Sequence, residues 1–310
     1  MRVAVIDCGT NTFNLLIAEI QQEGWKELFR TKIAVKLGRG GIGKGTIQSD
    51  RLARGLDALR VFHDAGLNYS TDHFYVTGTS ALREADNAID FVRRAKELFD
   101  MEVRIIDGER EASLIFSGVK QTLDIGDQNF TVMDIGGGST EFIIANKDGV
   151  QWKTSTDLGV SRLFDFLAPT DPLSKENRKE LSRVVDEHLA PLKEALSTYP
   201  STTLLGSSGS FDTLVAMAAG LKDDTSKLPL FNEVSLQDLT KLHSWMLSKN
   251  REERLKIRGM LPLRVDYMPI STSLIDYMIQ KMGFNRILQS KFALKEGVLQ
   301  EIIEKKIHLE

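Results

Sequence analysis

The chain has 310 residues, which is enough for about two domains with sizeable cores. Its net charge of −3 gives no overall basic field for nucleic acid, and its single cysteine excludes an intrachain disulfide framework and a cysteine zinc cluster. No apolar stretch approaches the roughly 20 residues that cross a bilayer, and a strand begins at Arg2, where a signal peptide would lie. We therefore expect a cytoplasmic protein that acts on neither membranes nor nucleic acids.

The first half of the sequence alternates between apolar strands and amphipathic helices. In the helix predicted from residue 79 to 99, the residues expected to face inward are Ala85, Ile89, Val92 and Leu98. The predicted elements are, in order, a hairpin over 1–20, a strand over 25–37, a glycine-rich loop over 38–45, a helix over 50–65, a strand over 73–77, the helix over 79–99, a strand over 101–106 and a helix over 109–123.

Residues 126–129, Gly-Asp-Gln-Asn, predict a junction between two domains, 1–125 and 126–310. The last helix, about 295–310, is expected to pack back on the first domain. After the junction the predicted elements are a second hairpin, a strand over 149–155, helices over 174–198, 210–220 and 235–248, a short strand over 202–206, a strand over 285–289 and a C-terminal helix. An apolar helix within 235–248 or 271–282 could form a homodimer, although burial in the core explains the pattern equally well.

Two segments of the chain repeat one sequence motif. Val5–Ala18 aligns without gaps on Val132–Ala145 at an offset of 127 residues, with identical residues at five positions. Each copy reads as an apolar strand, an aspartate, a turn of Gly, Ser and Thr, and a second apolar strand. A hairpin at the start of each half predicts a mixed α/β fold with a duplicated architecture.

Each hairpin turn offers consecutive N–H donors and hydroxyls to an anion, because glycine permits close approach and unusual φ values. The aspartate ending each first strand, Asp7 or Asp134, is better placed to hold Mg²⁺, and Glu141 could face the same ion. Two such turns suggest a cleft between two related domains that holds phosphate and a divalent metal. The predicted phosphate-binding residues of the turns are Gly9, Thr10, Asn11, Thr12, Gly136, Gly137, Gly138, Ser139 and Thr140.

A third turn, Gly206-Ser207-Ser208-Gly209, follows a strand and opens a helix, where an anion can bind. Serine-rich helix caps are common, so an ordinary cap remains an equal alternative. Residues 38–45 resemble a P-loop, but Gly45 stands where Ser or Thr would bind Mg²⁺. We reject a P-loop there and retain a basic, substrate-facing loop as an alternative.

Two charged residues near predicted helix starts are further candidates. The segment 107–112 joins a strand to a helix, and its acidic residues fit either simple capping or a general base for water, with Glu111 as the candidate. Arg83 lies in the predicted first turn of the helix over 79–99, the end that the helix dipole disfavours for a cation. A cation there suggests a bound anion, which fits phosphate.

Short motifs spread over nearly the whole chain occur in the order found in one known enzyme family. They are Asp7-Cys8-Gly9-Thr10-Asn11-Thr12, Thr79-Ser80-Ala81-Leu82-Arg83 with Ala85 and Asn87, Gly108 with Glu111-Ala112, residues 134–141, Leu158-Gly159-Val160 with Arg162-Leu163, residues 206–209, residues 261–266 and Gly297-Val298-Leu299. Together they resemble the exopolyphosphatase / guanosine pentaphosphate phosphohydrolase (Ppx/GppA) family of the actin–hexokinase–Hsp70 superfamily.

The resemblance implies an α/β protein of two ribonuclease-H-like (actin-like ATPase) domains, whose mixed sheets are flanked by helices, with a cleft between the domains. In such enzymes the glutamate matching Glu111 is the proposed base for the attacking water. The residues matching Asp134 and Glu141 serve Mg²⁺ and phosphate chemistry, and the glycine-rich turns bind phosphoryl oxygens. Arg83 and Arg162 are then expected to hold the rest of the phosphate chain.

The chain departs from the family pattern at Ser113, where arginine is expected, and after Asp266, where Tyr267-Met268-Pro269 replaces the usual Pro-Gly-Ala. Both departures bear on substrate contacts more than on the reaction. The chain also stops near residue 310, without the additional C-terminal helical domains of the long family members, so we do not expect processive action on long chains.

The sequence therefore predicts a Mg²⁺-dependent phosphohydrolase that releases terminal phosphate from inorganic polyphosphate, guanosine pentaphosphate or both. One alternative is a kinase of the same superfamily, which would need an adenosine pocket and an acceptor. Another is a non-catalytic sensor of polyphosphate or a guanosine alarmone. The presence of Glu111, Asp134 and Glu141 argues against the sensor.

Overall fold

The structure, a computed structural model, describes residues 1–122, 126–220 and 229–309. The chain divides into two compact units. Unit 1 comprises Met1–Gly118 together with Leu294–Glu310, and unit 2 is the continuous segment Val119–Ala293. The observed boundary thus precedes the predicted junction at 126–129, and the C-terminal segment belongs to unit 1.

The sheet of unit 1 has five strands in the order β3-β2-β1-β4-β5. β2 runs antiparallel to both β1 and β3, and β4 and β5 run parallel to β1. A short 3₁₀ helix also occupies 42–44, within the glycine-rich loop. The elements are β1 (Arg2–Cys8), β2 (Thr12–Ile20), β3 (Trp25–Ala34), α1 (Ser49–Asn68), β4 (His73–Gly78), α2 (Ser80–Glu84), α3 (Ala88–Phe99), β5 (Val103–Ile105) and α4 (Gly108–Val119).

Unit 2 repeats this sheet order and extends it by one strand, as β10-β11-β9-β6-β7-β8. The elements are β6 (Phe130–Ile135), β7 (Thr140–Asn146), β8 (Gly149–Thr156), α5 (Val160–Leu167), α6 (Lys175–His188), α7 (Ala190–Thr198), β9 (Thr203–Ser207), α8 (Ser208–Ala218), β10 (Phe231–Val234), α9 (Leu236–Ser248), α10 (Arg251–Leu255), α11 (Met268–Met282) and β11 (Arg286–Ser290); α12 (Leu294–Ile303) follows and belongs to unit 1. Two mixed sheets flanked by helices confirm the predicted α/β class.

The sequence repeat is also a repeat of strand register. Asp7 lies opposite Asn14 between β1 and β2, and Asp134 lies opposite Glu141 between β6 and β7. The irregularity between β2 and β3 at 17/18 recurs between β7 and β8 at 144/145, at the same offset. The two hairpins with matching hydrophobic patterns therefore also place their facing residues in the same register.

Apolar residues at helical spacing mark the buried faces of α1 and α4. In α1 the apolar residues at helical spacing, Leu52, Leu56, Leu59 and Phe62, are all buried. The central strand β1 is buried on both faces, so its run of apolar residues does not alternate. In α4 the apolar residues at helical spacing are buried at 112, 115 and 119 and half-buried at 116, and residue 123, where the predicted helix ends, lies outside the described residues.

The helix predicted over 79–99 is wrong in detail, because it is two helices. Ala85 has an extended backbone (ψ 124°) and ends α2, which changes the face that α3 presents. The break is held by Asn87, whose side chain accepts from the N–H of Ile47 and donates to its carbonyl, both at 2.9 Å. Two predicted inward residues, Ile89 and Leu98, are consequently exposed at 68% and 58%. The residues that α3 buries instead are Ala88, Phe91 and Ala95.

The helix predicted over 174–198 is likewise divided, into α6 and α7, with a proline in the first turn of α7. The prediction also missed α5, α10 and β10, which are short. No helix in the described ranges is long and apolar enough to cross a membrane.

Helix α12 closes unit 1 through an unusually close helix–helix approach. A Cβ placed on Gly297 would lie 1.8 Å from the carbonyl oxygen of Leu114 in α4. Nearby, the fully buried carboxylate of Glu296 pairs with Arg30 of β3 at 2.7 Å. A second contact joins the same helices, because Arg110 of α4 donates through both terminal nitrogens to Glu301.

We predict that Gly297→Ala destabilises the protein by about 1–3 kcal/mol, because α12 must move away from α4 to admit the methyl group. Thermal and urea unfolding would measure the effect. Gly43→Ala is the matched control, since a Cβ at that position meets nothing within 4 Å. Equal stability of the two variants would contradict the proposed close packing.

Candidate active site

In unit 1, polar side chains gather where the parallel strands end. Asp7 lies near the end of β1, opposite Asn14 on one side and Thr77 on the other. The Asn14 side-chain amide donates to an Asp7 carboxylate oxygen at 3.0 Å, which fixes the orientation of that carboxylate. In α/β sheets ligands bind at this carboxyl edge, so the position suits a functional aspartate.

The first hairpin turn, residues 9–12, is anchored through its carbonyl groups. The carbonyls of Thr10 and Asn11 accept from the N–H groups of Gly38 and Lys36, at 3.1 and 2.8 Å. In a trans peptide the following N–H points away from the carbonyl, so the amides of Asn11 and Thr12 face away from the 36–38 loop. Thr10, Asn11 and Thr12 are buried, and the Thr12 hydroxyl has no hydrogen-bond partner among the described residues.

Glycine is required in the turns for a different reason than predicted. Gly9 and Gly136–Gly138 have no positive φ, so unusual backbone angles are not what selects them. A Cβ on Gly9 would instead lie 2.9 Å from the carbonyl oxygen of Thr12, and one on Gly136 would lie 2.8 Å from that of Ser139. The requirement is close approach, and it is the same in both copies.

Glu111 sits in the first turn of α4 and is buried, with 8% of its surface exposed. Its carboxylate accepts from an Arg83 terminal nitrogen at 3.0 Å, and the same nitrogen donates to the carbonyl of Ile106 at 2.9 Å. Asp107 caps α4 by accepting from the N–H of Arg110 at 2.7 Å. Capping therefore belongs to Asp107, and the Glu111 side chain is held separately by arginine.

The prediction for the position of Arg83 is wrong, because α2 is only five residues long. Arg83 falls in the last turn of that helix, where a cation is favoured, and its partner here is a carboxylate. The argument that its position required a bound anion therefore fails. What the structure assigns to Arg83 instead is the orientation of Glu111.

In unit 2, the second turn is anchored in the same manner as the first. The carbonyls of Gly136 and Gly137 accept from the N–H groups of Val160 and Ser161 at 3.0 and 2.8 Å, and the Nε of Arg162 donates to the carbonyl of Gly138 at 2.9 Å. The amides of residues 137–139 consequently face away from α5. In the described part of the chain, the N–H groups of Gly137 and Gly138 donate to no other backbone group.

The glycines of this turn also meet Gly159, where a Cβ would lie 2.2 Å from the carbonyl carbon of Gly138. Two predicted phosphate ligands have structural partners here: the Thr140 hydroxyl donates to the carbonyl of Leu158 at 2.9 Å, and Arg162 holds the turn. Ser139 is buried, with 4% of its surface exposed.

Asp134 is held by the third turn, residues 206–209. Ser207 and Ser208 both donate to the same Asp134 carboxylate oxygen at 2.7 Å. Ser208 has a positive φ of 67°, a strained conformation for a residue with a side chain. Gly206 is explained by packing, since a Cβ there would lie 1.9 Å from the ring of Phe211. In this structure the hydroxyls of the turn therefore orient Asp134.

Glu141 lies directly opposite Asp134 on β7, with 1% of its surface exposed, and Ser155 of β8 donates to it at 2.7 Å. Two carboxylates on facing residues repel each other unless a cation lies nearby. The described residues contain no cluster of three or more His, Cys, Asp or Glu that could hold a metal. Mg²⁺ uses one or two carboxylates and several waters, so the donors that Asp134 and Glu141 provide fit it.

Arg264, in the segment before α11, lies beside the third turn and near Asp134. It was not selected as a candidate from the sequence. A Cβ on Gly209 would lie 2.2 Å from its guanidinium, so this glycine admits the arginine. Its Nε is buried without a hydrogen-bond partner among the described residues. Burial lowers the pKa of Arg264, and the nearby Asp212, Tyr267 and Asp134 oppose that shift. The sequence feature that could have indicated Arg264 was the segment 261–266, which was used only as one of the family motifs.

Cys8, next to Asp7, is fully buried. Burial, and after it the charge of Asp7, raise the pKa of its thiol well above the usual range. The thiolate is the reactive form of cysteine, so this residue fills the core and is not a nucleophile.

The chain is similar to known proteins over most of its length. A family model described as the Ppx/GppA phosphatase family matches residues 16–306. The structure is similar to that of an exopolyphosphatase from Cytophaga hutchinsonii, with 39% sequence identity and a TM-score of 0.94 over 98% of each chain. It is also similar in fold to the PPX-GPPA enzyme of Aquifex aeolicus, at 24% identity and a TM-score of 0.81 over 97% of this chain and 99% of the other.

The family model spans most of the chain, and both hairpins, the Glu111 helix and the third turn lie within or beside the matched range. The short motifs along the chain indicate the same family independently of the fold. On this basis the chain belongs to the Ppx/GppA phosphatase family.

Proposed function

We propose that this protein is a Mg²⁺-dependent exopolyphosphatase, which releases orthophosphate from the end of inorganic polyphosphate and also acts on guanosine pentaphosphate. The observation that carries the proposal is the buried Glu111 carboxylate, fixed by Arg83 at 3.0 Å, in a member of a phosphatase family. A hydrolase needs a positioned base for water, and a buried carboxylate held in one orientation by a hydrogen bond can take that role.

In the proposed reaction, water attacks the terminal phosphorus, the bridging P–O bond breaks, and the shortened chain leaves with the bridging oxygen. Glu111 accepts the proton of the attacking water, while Arg83 keeps its carboxylate in one orientation. The outward-facing amides of the first turn, at Asn11 and Thr12, donate to phosphoryl oxygens. Positioning and charge neutralisation account for most of the catalysis in phosphoryl transfer.

Unit 2 carries the proposed metal ligands and a second set of amide donors. Asp134 and Glu141 would hold Mg²⁺, which when bound neutralises charge on the phosphoryl oxygens. The amides of Gly137 and Gly138 add donors, and the guanidinium of Arg264 supplies a positive charge for phosphate. Ser207, Ser208 and Ser155 keep the two carboxylates in place.

The choice of substrate is tested by measuring kcat/KM for polyphosphate and guanosine pentaphosphate side by side, with and without Mg²⁺. We place polyphosphate first because the relative from Cytophaga hutchinsonii is named an exopolyphosphatase. Both molecules present the same terminal anhydride. Phosphate release from neither substrate in Mg²⁺ would refute the proposed function.

We predict that Glu111→Gln lowers kcat for phosphate release by roughly 10²–10⁴-fold, the contribution typical of a general base. Glutamine keeps the size of the side chain and an oxygen for Arg83, so substrate binding should persist. Phosphate release and substrate binding are measured on the same preparation. Glu109→Gln, in the same helical turn but exposed, is the control and should remain active. Full activity of Glu111→Gln would remove Glu111 as the base.

We predict that Ser155→Ala raises the Mg²⁺ concentration for half-maximal activity by about 10–100-fold, because Glu141 loses the hydroxyl that orients it. Mn²⁺ binding, followed by electron paramagnetic resonance without substrate, should weaken in parallel. Ser155→Thr retains the hydroxyl and should restore both measurements. Unchanged metal binding in the alanine variant would show that the Ser155 contact does not serve the metal.

A further inference from the structure

A cavity of about 240 Å³ opens in unit 2 between α6, α9 and α11. Leu181, Val185 and Leu247 form its apolar part, and the rest of its lining is polar or charged. Ligand pockets for drug-sized molecules begin near ~300 Å³, so this cavity suits a smaller molecule. None of the residues proposed for phosphate hydrolysis lines it.

His243 has a defined tautomer at this cavity. The Thr272 hydroxyl donates to the carbonyl of Met268 at 2.9 Å, so its oxygen is the acceptor toward the Nδ1 of His243, at 3.1 Å. Nδ1 therefore carries a proton, and Nε2 is the acceptor when the ring is neutral. Burial, and with it the charge of Arg178, lowers the pKa of His243 against the opposing effect of Asp276, so the neutral ring dominates near pH 7.

The neutral ring leaves two acceptors facing each other at one end of the cavity. The Nε2 of His243 and a carboxylate oxygen of Asp276 lie 3.8 Å apart, too far for a direct hydrogen bond. One nitrogen donor about 2.9 Å from each atom would satisfy both. An ammonium group is the donor that also matches the charge of Asp276.

Two other residues of the lining, Arg178 and Lys281, carry positive charge. No carboxylate in the described ranges lies within ion-pairing distance of Arg178 or Lys281, both of which line the cavity. The hydroxyl of Tyr277 donates to Asp186, and burial together with this bond raises the pKa of Tyr277 to about 12, so it stays neutral. A ligand that reaches from Asp276 to Arg178 therefore needs a donor at one end and an anion at the other.

We propose that this cavity binds a small zwitterion of the α-amino-acid class. Its ammonium group bridges His243 and Asp276, its carboxylate faces Arg178 and Lys281, and an apolar side chain lies on Leu181, Val185 and Leu247. This site is separate from the hydrolytic residues, so it stands or falls independently of the proposed function.

The test is calorimetric titration of the full chain with L-leucine, compared with acetate and n-propylamine, which each carry one end of the zwitterion. We expect L-leucine to bind at least about tenfold more tightly than either fragment, because charged hydrogen bonds at both ends contribute. The same titrations followed by NMR of the histidine ring protons should shift the resonance of His243. Absence of L-leucine binding up to roughly 10 mM, or equal binding of acetate, would overturn the proposal.

Variants of the lining complete the test. Asp276→Asn and Arg178→Met should each weaken L-leucine binding by about tenfold or more. Arg183→Met is the matched control, because Arg183 lies on α6 outside the cavity lining, and its binding should match the unaltered chain. Thermal unfolding shows that each variant is folded. Unchanged affinity in both lining variants would refute the site, and phosphate release by Asp276→Asn should stay unchanged.

Discussion

The two hairpin turns depend on the direction in which their peptide groups face. In unit 1 the amides of Lys36 and Gly38 bind the carbonyls of the turn, and in unit 2 the start of α5 and Arg162 do so. In a trans peptide the carbonyl and the following N–H point in opposite directions. Each carbonyl that is hydrogen-bonded on one side of the turn therefore leaves the next N–H pointing to the opposite side. The amide direction that the proposed anion binding requires thus rests on hydrogen bonds made on the opposite side of each turn, and Gly9 and Gly136 allow close approach within the turns.

The two copies share geometry but differ in chemistry at one register position. Asn14 donates to Asp7 and so makes a neutral partner for it, whereas Glu141 adds a second carboxylate opposite Asp134. Unit 2 compensates with hydroxyls, because Ser207, Ser208 and Ser155 all donate to these acids. The two hairpins thus have the same backbone register. They differ at one pair of facing residues, where Glu141 in the second copy replaces Asn14 of the first and adds a negative charge.

Features that depend on nearby residues could be predicted from the sequence, and those that depend on distant contacts could not. The hairpins, the inward face of α1 and the acidic candidates Glu111, Asp134 and Glu141 followed from local pattern and from the motifs. The division of the predicted 79–99 helix could not be predicted, because it depends on hydrogen bonds between the Asn87 side chain and the backbone of Ile47, 40 residues away. The same applies to Arg83 as the partner of Glu111 and to Arg264 beside Gly209.

Unit 1 is assembled from two stretches of chain, and its helix α12 follows the whole of unit 2 in the sequence. Helix α12 packs against β1, the first strand, and brings the buried Glu296 to Arg30. Unit 2 is a continuous segment that precedes α12, so its core can form while α12 is still being synthesised. The sheet of unit 1 therefore emerges before unit 2 but is covered by α12 only after unit 2 has been synthesised.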